Sequence, residues 1–349
     1  MPHIRSTRTL TTTAALLLGG TLAACSDAPL APITPVTSVA LAAAGGDRLA
    51  TIEYEGRTAA LYLQNADGSA RTRVRFVGVH DRVEGNWSQR LLPTTDETIV
   101  ALGPAKWSPD GSQLAIVVAV AYDQSQVVVM NADGHNLRIA SPNGQIIVGD
   151  IDWSPDSRHI AYAMSTLPHA LGVDLFATEL ATSRVQRLTS GSRFSVFDEY
   201  RFDESGRGLW FTQFEGWSDD QRNRVSRVYH VTLGGDITGA EGKVVGNAQG
   251  IARDGRWVLA IRLPKGDDWW TQELVRAPLD GTEEVVLASG TLQYAELLER
   301  DDEAVLATMD MATGASTFDL YGVSSARDWR GQLAVNPNLA SLALFHAWR

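Results

Sequence analysis

Trp107-Ser108-Pro109-Asp110-Gly111-Ser112-Gln113-Leu114-Ala115-Ile116 returns 46 residues later as Trp153-Ser154-Pro155-Asp156-Ser157-Arg158-His159-Ile160-Ala161-Tyr162. The same local instructions stand in each copy. Proline fixes φ and ends a strand, and Asp-Gly favours a tight hairpin turn. The aromatic residue before the turn reads as the end of one buried strand. The apolar run after it reads as the start of the next, buried on both sides. A repeat of 46 residues is in the range of a propeller blade.

Weaker copies extend the pattern. Phe202-Asp203-Glu204-Ser205-Gly206 leads into Leu209-Trp210-Phe211, and Ile251-Ala252-Arg253-Asp254-Gly255 leads into Trp257-Val258-Leu259. Leu298-Glu299-Arg300-Asp301-Asp302 precedes Ala304-Val305-Leu306, and Gly45-Gly46 before Leu49-Ala50-Thr51 reads as a first copy. A second turn follows later in the units, as in Asn65-Ala66-Asp67-Gly68, Asn131-Ala132-Asp133-Gly134 and Leu279-Asp280-Gly281. Two turn types per unit imply four strands. The expected fold is all-β, a six-bladed β-propeller of four-stranded antiparallel blades, with the C-terminal strands closing the ring against the first blade. A seven-bladed alternative would begin at Val335-Asn336-Pro337-Asn338, with Leu342-Ala343-Leu344-Phe345 as its next strand.

The pairing of Trp-Ser-Pro-Asp-Gly with a later Asn-Ala-Asp-Gly resembles the repeat of TolB-type propellers, also called WD40-like or PD40 repeats. The resemblance covers residues 45 to about 323 and is sharp in two copies. It implies fold, and fold does not imply function. TolB itself carries an additional N-terminal α/β domain. None is read in this sequence, so TolB's partner-binding role is not carried over.

The first residues carry Arg5 and Arg8, followed by the uncharged stretch 9–24 with Ala14-Ala15-Leu16-Leu17-Leu18 and small residues at Gly19, Gly20, Ala23 and Ala24. A basic start, an apolar middle and small residues at the end make a secretory signal. Leu22-Ala23-Ala24-Cys25 then resembles the lipobox of bacterial lipoproteins. The resemblance implies a signal peptide over 1–24, cleavage before Cys25 and acylation of that residue, the one cysteine of the chain. Two or three acyl chains anchor stably, at about 0.8 kcal/mol per buried methylene. Ser26 rather than Asp follows the cysteine. In that family this pattern implies the outer membrane, here facing the periplasm. Pro29, Pro32 and Pro35 make 25–38 an extended tether. The propeller is then expected over 39–349.

The chain has 30 basic and 41 acidic residues, a formal net charge of −11. That balance, with no Lys/Arg cluster, argues against nucleic acid as a partner. No Gly-x-Ser-x-Gly elbow, His-Glu-x-x-His, phosphate loop or complete calcium loop is present. The seven histidines lie outside metal-ligand spacing in sequence. No catalytic residue, metal or cofactor is therefore assigned. The acidic pairs Asp219-Asp220 and Asp267-Asp268 could in principle do acid–base work, but solvated loops explain them more simply.

The connections carry the functional expectation. In a four-stranded blade the two Asp-Gly turns share one face, and the remaining connections share the other. Long loops are expected on that second face at roughly 80–96, 166–173, 214–224 and 263–270. They gather Trp87, Trp217, Trp269 and Trp270 with Asp219, Asp220, Arg222, Arg224, Lys265, Asp267 and Asp268. Tryptophan beside charge is typical of binding surfaces. The residues expected to bind a partner are Trp217, Asp219, Arg222, Asp268, Trp269 and Trp270. The expected function is a non-catalytic binding or scaffolding lipoprotein of the cell envelope, engaging a protein, peptide or glycan. Two alternatives stand beside it. One is a glycan lyase or hydrolase with His, Asp or Glu side chains converging at the channel mouth. The other is a structural role through the blade edges.

Overall fold

The computed structural model describes residues 48–55, 58–65, 68–74, 101–121, 124–142, 146–165, 173–190, 197–264, 271–298, 301–310, 316–332 and 339–345. Blade 1 contains β1 (Arg48–Glu55), β2 (Thr58–Asn65) and β3 (Thr72–Arg73). Blade 2 contains β4 (Ala101–Trp107), β5 (Gln113–Ala121), β6 (Gln124–Asn131) and β7 (Arg138–Ile139). Blade 3 is β8 (Ile147–Trp153), β9 (His159–Ser165), β10 (Val173–Glu179) and β11 (Arg184–Arg187). Blade 4 is β12 (Phe197–Phe202), β13 (Gly208–Trp217), β14 (Arg224–Thr232) and β15 (Ile237–Val245). Blade 5 is β16 (Asn247–Ile251), β17 (Trp257–Arg262), β18 (Gln272–Pro278) and β19 (Val285–Gly290). Blade 6 is β20 (Leu292–Leu297), β21 (Glu303–Met309), β22 (Ser316–Gly322) and β23 (Asp328–Gln332).

The last strand, β24 (Leu339–Phe345), joins blade 1, in the order β24-β1-β2-β3. Its register runs from Arg48 opposite Phe345 to Glu53 opposite Leu339. The fold is thus a propeller of six four-stranded antiparallel blades. The seven-bladed alternative fails because the C-terminal strand completes blade 1 rather than starting another. Pairing β1 with the far end of the chain also covers an edge that would otherwise be open.

The core lies between blades, and the period-2 alternation of each second strand builds it. Along β5, Leu114, Ile116 and Val118 pack with Ala50, Ile52 and Leu61 of blade 1. The intervening Ala115 and Val117 pack with Ile151, Trp153, Ile160 and Tyr162 of blade 3. Both sets are buried, which explains why the strand reads as a continuous apolar run. Sizes are matched across interfaces. Ala161, Ala163 and Ala177 of blade 3 make room for Tyr200, Phe202 and Phe211 of blade 4.

Each motif turn has one hydrogen-bond plan. The residue after the aromatic receives the chain back, as in Ser108 N to Gln113 O and Ser154 N to His159 O. The same bonds recur as Asp203 N to Gly208 O, Ala252 N to Trp257 O and Leu298 N to Glu303 O. Where the motif keeps Ser and Asp, the side chains reinforce it: Ser108 Oγ donates to Asp110 Oδ1 at 2.6 Å, and Gln113 N donates to Ser108 Oγ at 2.9 Å. The turn needs one left-handed residue. Gly111 (φ +67°), Ser157 (+59°), Gly206 (+65°), Gly255 (+69°) and Asp301 (+60°) fill that slot. At Gly255 a Cβ would also come within 2.3 Å of the Trp210 indole.

Two buried arginines tie the ends of the inner strands together. Arg253 donates to Phe202 O at 3.0 Å and Trp153 O at 3.2 Å, and its backbone N–H donates to Asp301 Oδ2 at 2.6 Å. Arg201 donates to Leu298 O at 2.8 Å and pairs with Asp301 Oδ1 at 2.8 Å. Blades 3 to 6 are therefore linked through guanidinium groups at one end of the ring. Removing one partner of a buried charge network leaves unpaired groups, at a cost of about 3–5 kcal/mol. Arg253→Leu is expected to lower stability by that order in urea titration. A loss under about 0.5 kcal/mol, the range of an ordinary surface substitution, would show that the network is not holding the ring.

Candidate functional site

The topology assigns each connection to a face. The motif turns and the Asn-Ala-Asp-Gly turns lie on one face, here the motif face. The links between second and third strands, and between blades, lie on the other, the open face. Two places offer chemistry: the axis, where the inner strands meet, and the open face.

At the axis, β24, β4, β8, β12, β16 and β20 form the inner edge of the ring. Each of these strands carries a β-bulge at the equivalent place, opposite the shifts after Leu102, Val148, Phe197, Ala248 and Leu292 and beside Ile52. Polar residues sit at or beside the bulges of blades 3 to 5 and serve the unpaired inner edge. Ile151 N donates to Asp150 Oδ1 at 2.8 Å, Tyr200 N to Glu199 Oε1 at 3.3 Å and Ala295 N to Gln249 Oε1 at 2.9 Å. Nearer the motif face, Phe202 N donates to Asp152 Oδ2 at 2.8 Å. The Tyr200 hydroxyl donates to Asp150 O and accepts from Ala163 N at 3.0 Å.

Lys106 of β4 enters this acidic group and pairs with Asp150 at 2.6 Å. Burial disfavours its charge, but Asp150, Glu296, Asp152 and Glu199 outweigh that and hold its ammonium well above the usual range. The carboxyl of Glu199 is pushed up to about 8, chiefly by burial, with Asp150 and Asp152 adding and Lys106 and Arg201 opposing. Glu199 is therefore protonated at neutral pH. Asp301 is also raised by burial, against the pull of Arg201. Among the described residues no group of three or more His, Cys, Asp or Glu side chains has the geometry to hold a metal ion.

On the open face the hairpin between β13 and β14 differs from expectation. Of the loop expected over 214–224, residues 214–217 and 224 are strand, and the turn is residues 218–223. That turn repeats the motif turn. Ser218 N donates to Asn223 O at 2.8 Å, Gln221 N to Ser218 O at 2.8 Å, and Gln221 occupies the left-handed slot at φ +58°. Ser218 Oγ donates to Asp220, Arg222 N to Asp220 Oδ1 at 3.1 Å, and Asn223 N to Ser218 Oγ at 3.0 Å. The sequence signal was present: Trp217-Ser218-Asp219-Asp220 is Trp-Ser-Pro-Asp with Asp in the proline slot. Asn223 then clamps the next blade, donating to Leu263 O at 2.9 Å and accepting from Leu263 N at 2.8 Å.

The expected site residues divide as follows. Trp217 is 54% exposed and meets Phe214 edge-on at 5.9 Å, while Arg224 lies over the Phe214 ring at 4.7 Å. Asp219 is exposed on the same turn, and the backbone of Arg222 serves Asp220. Asp268, Trp269, Trp270 and Cys25 lie outside the described residues, as does most of the loops over 80–96, 166–173 and 263–270. The Asn223 clamp does bring the start of the 263–270 connection beside the Trp217 turn. Of the acidic pair Asp219-Asp220, the second is committed to the turn, where bonds from Ser218 and Arg222 hold its carboxyl below the usual range. His230 pairs with Asp203 at 2.9 Å and packs on Trp210 at 4.5 Å.

No protein-family model matches the sequence, and no curated protein matches it. Solved structures do resemble it. TolB from Acinetobacter baumannii superposes with a TM-score of 0.60 at 15% identity, covering 85% of this chain and 66% of TolB, just under two thirds of its length. A chain of a nidogen/laminin complex superposes with a TM-score of 0.52 at 10% identity, covering 86% of this chain and 98% of that one. At such identities the likeness is one of fold.

The raised Glu199 carboxyl gives a pH signature. An unfolded Glu loses its proton near 4.5, whereas the folded one keeps it to about 8. Between those values the folded state binds the extra proton, so this group's contribution to stability falls as pH rises. Glu199→Gln is expected to gain melting temperature relative to wild type from pH 5 to pH 8. Parallel curves of melting temperature against pH would contradict the assignment.

Proposed function

We propose that this chain is a cell-envelope lipoprotein, anchored through Cys25 to the outer membrane and facing the periplasm, whose propeller binds or scaffolds a partner through its open face. The partner is a protein, peptide or glycan, and the propeller does no chemistry on it. The observation that carries this reading is the distribution of exposed apolar surface. Among the described residues the exposed large hydrophobic side chains are Ile146, Val148, Trp217, Ile237 and Trp329. Ile146 and Val148 stand at the start of β8 and Trp217 at the end of β13, all on the open face. Ile237 opens β15 on the motif face, and Trp329 lies near the start of β23, an outer strand. Exposed apolar groups gathered on the face with the longer connections suit a recognition surface.

A second reading, an enzyme acting at the channel, draws on Glu199, whose proton is held to about 8 beside Asp150 and Asp152. Against it, Asp150, Asp152 and Glu199 each already accept a backbone N–H of the inner edge. Those bonds account for the residue types without a substrate.

The test is a comparative pull-down from detergent-solubilised envelope with wild type, Trp217→Ala and Trp329→Ala. A partner retained by Trp329→Ala and lost by Trp217→Ala supports the open face. A partner lost only by Trp329→Ala would move the site to the blade edge and overturn the proposal.

A further inference from the structure

Resting on the open-face reading, we propose that Trp217 and Asp219 form a receptor for a cationic side chain, a Lys or Arg presented by a basic segment of the partner. The six-residue turn divides its acids between two tasks. Asp220 is spent on the backbone, accepting from Ser218 Oγ and Arg222 N. Asp219 occupies the slot that holds Pro109 and Pro155 in the turns of the motif face, where no side-chain bond is required. Among the described residues it has no hydrogen-bond or ion-pair partner, and it is exposed.

The indole beside it is a presented surface. In the motif-face copies the tryptophan of Trp-Ser-Pro-Asp is covered by the preceding blade, leaving Trp107 6% and Trp153 1% exposed. The open-face copy is not covered in this way among the described residues, and Trp217 stays 54% exposed. Phe214 supports the ring edge-on, and the Asn223 clamp fixes the turn to blade 5. An exposed aromatic ring and an exposed carboxylate two residues apart give a cation ring attraction and an ion pair to use.

Arg222 and Arg224 also stand on this hairpin, Arg224 opposite Trp217 with its guanidinium over the Phe214 ring, and the other acids are engaged. Glu215 is engaged by Arg227 at 2.5 Å and by Lys243 at 3.8 Å. On a larger scale the chain carries a formal net charge of −11, which favours approach of a basic partner over an acidic one.

The test uses the folded chain labelled with 5-fluorotryptophan. One of its ten tryptophan resonances is assigned to Trp217 by Trp217→Phe. The probes are an acetylated Gly-Lys repeat peptide, its Gly-Glu counterpart and a neutral oligosaccharide. The Lys peptide is expected to move the Trp217 resonance saturably, with binding about threefold weaker in Asp219→Asn and weaker again at high salt. A Trp217 resonance that stays still with millimolar Lys peptide, or moves equally with the Glu peptide or the sugar, overturns the cationic receptor. So does an unchanged affinity in Asp219→Asn. If Trp217→Ala still loses its envelope partner while the Lys peptide has no effect, the open face stands and this inference alone fails.

Discussion

An inner strand of a propeller is paired on one side only. Its other edge faces the axis, where no further strand can reach, and a backbone N–H left unpaired there costs about as much as a lost hydrogen bond. This chain meets that constraint with side chains. Asp150 and Glu199 bond the amide that follows them in their own strands, while Gln249 and Asp152 reach the amide of the next blade. Arg201 and Arg253 supply donors for the carbonyls at the strand ends. The charged axis is thus first a structural device. Its acidic excess, and the raised carboxyl of Glu199, follow from placing several acceptors around one point.

Once the inner edges are satisfied, the two faces become different surfaces. The motif face is spent on turns that bond to one another and to buried guanidinium groups. Among the described residues the open face is left with Ile146, Val148 and the Trp217 hairpin. In blade 4, β13 and β14 continue into a turn built like those of the motif face. The same six-residue geometry buries an indole in one setting and displays it in the other. What decides is whether a neighbouring blade covers it.

Much of the fold was legible because the decisive signals are local. Pro, Asp and Gly at fixed offsets mark the turns, and continuous apolar runs mark strands buried on both sides. Blade number and ring closure also followed, since too little chain remained after Phe318 for another blade. The axis was not legible. Arg201, Arg253 and Asp301 lie in degenerate copies, where their side chains looked like losses of the motif rather than links across as many as 100 positions. Bulges leave no mark in a single repeat. The Trp217 turn was misread as loop because Asp replaces Pro in it, although Trp-Ser-x-Asp is intact. Of the expected site, the structure describes Trp217, Asp219 and Arg222 and places them on one short turn.

If side chains do satisfy the inner edge, its amides should behave as ladder amides although no strand pairs with them. Native-state hydrogen exchange at Ile151, Tyr200, Phe202 and Ala295 tests this directly. The account predicts protection at these sites comparable to that of the β12–β13 and β20–β21 ladders. Exchange as fast as that of exposed turn amides such as Asp219, with the ladders still protected, would contradict it.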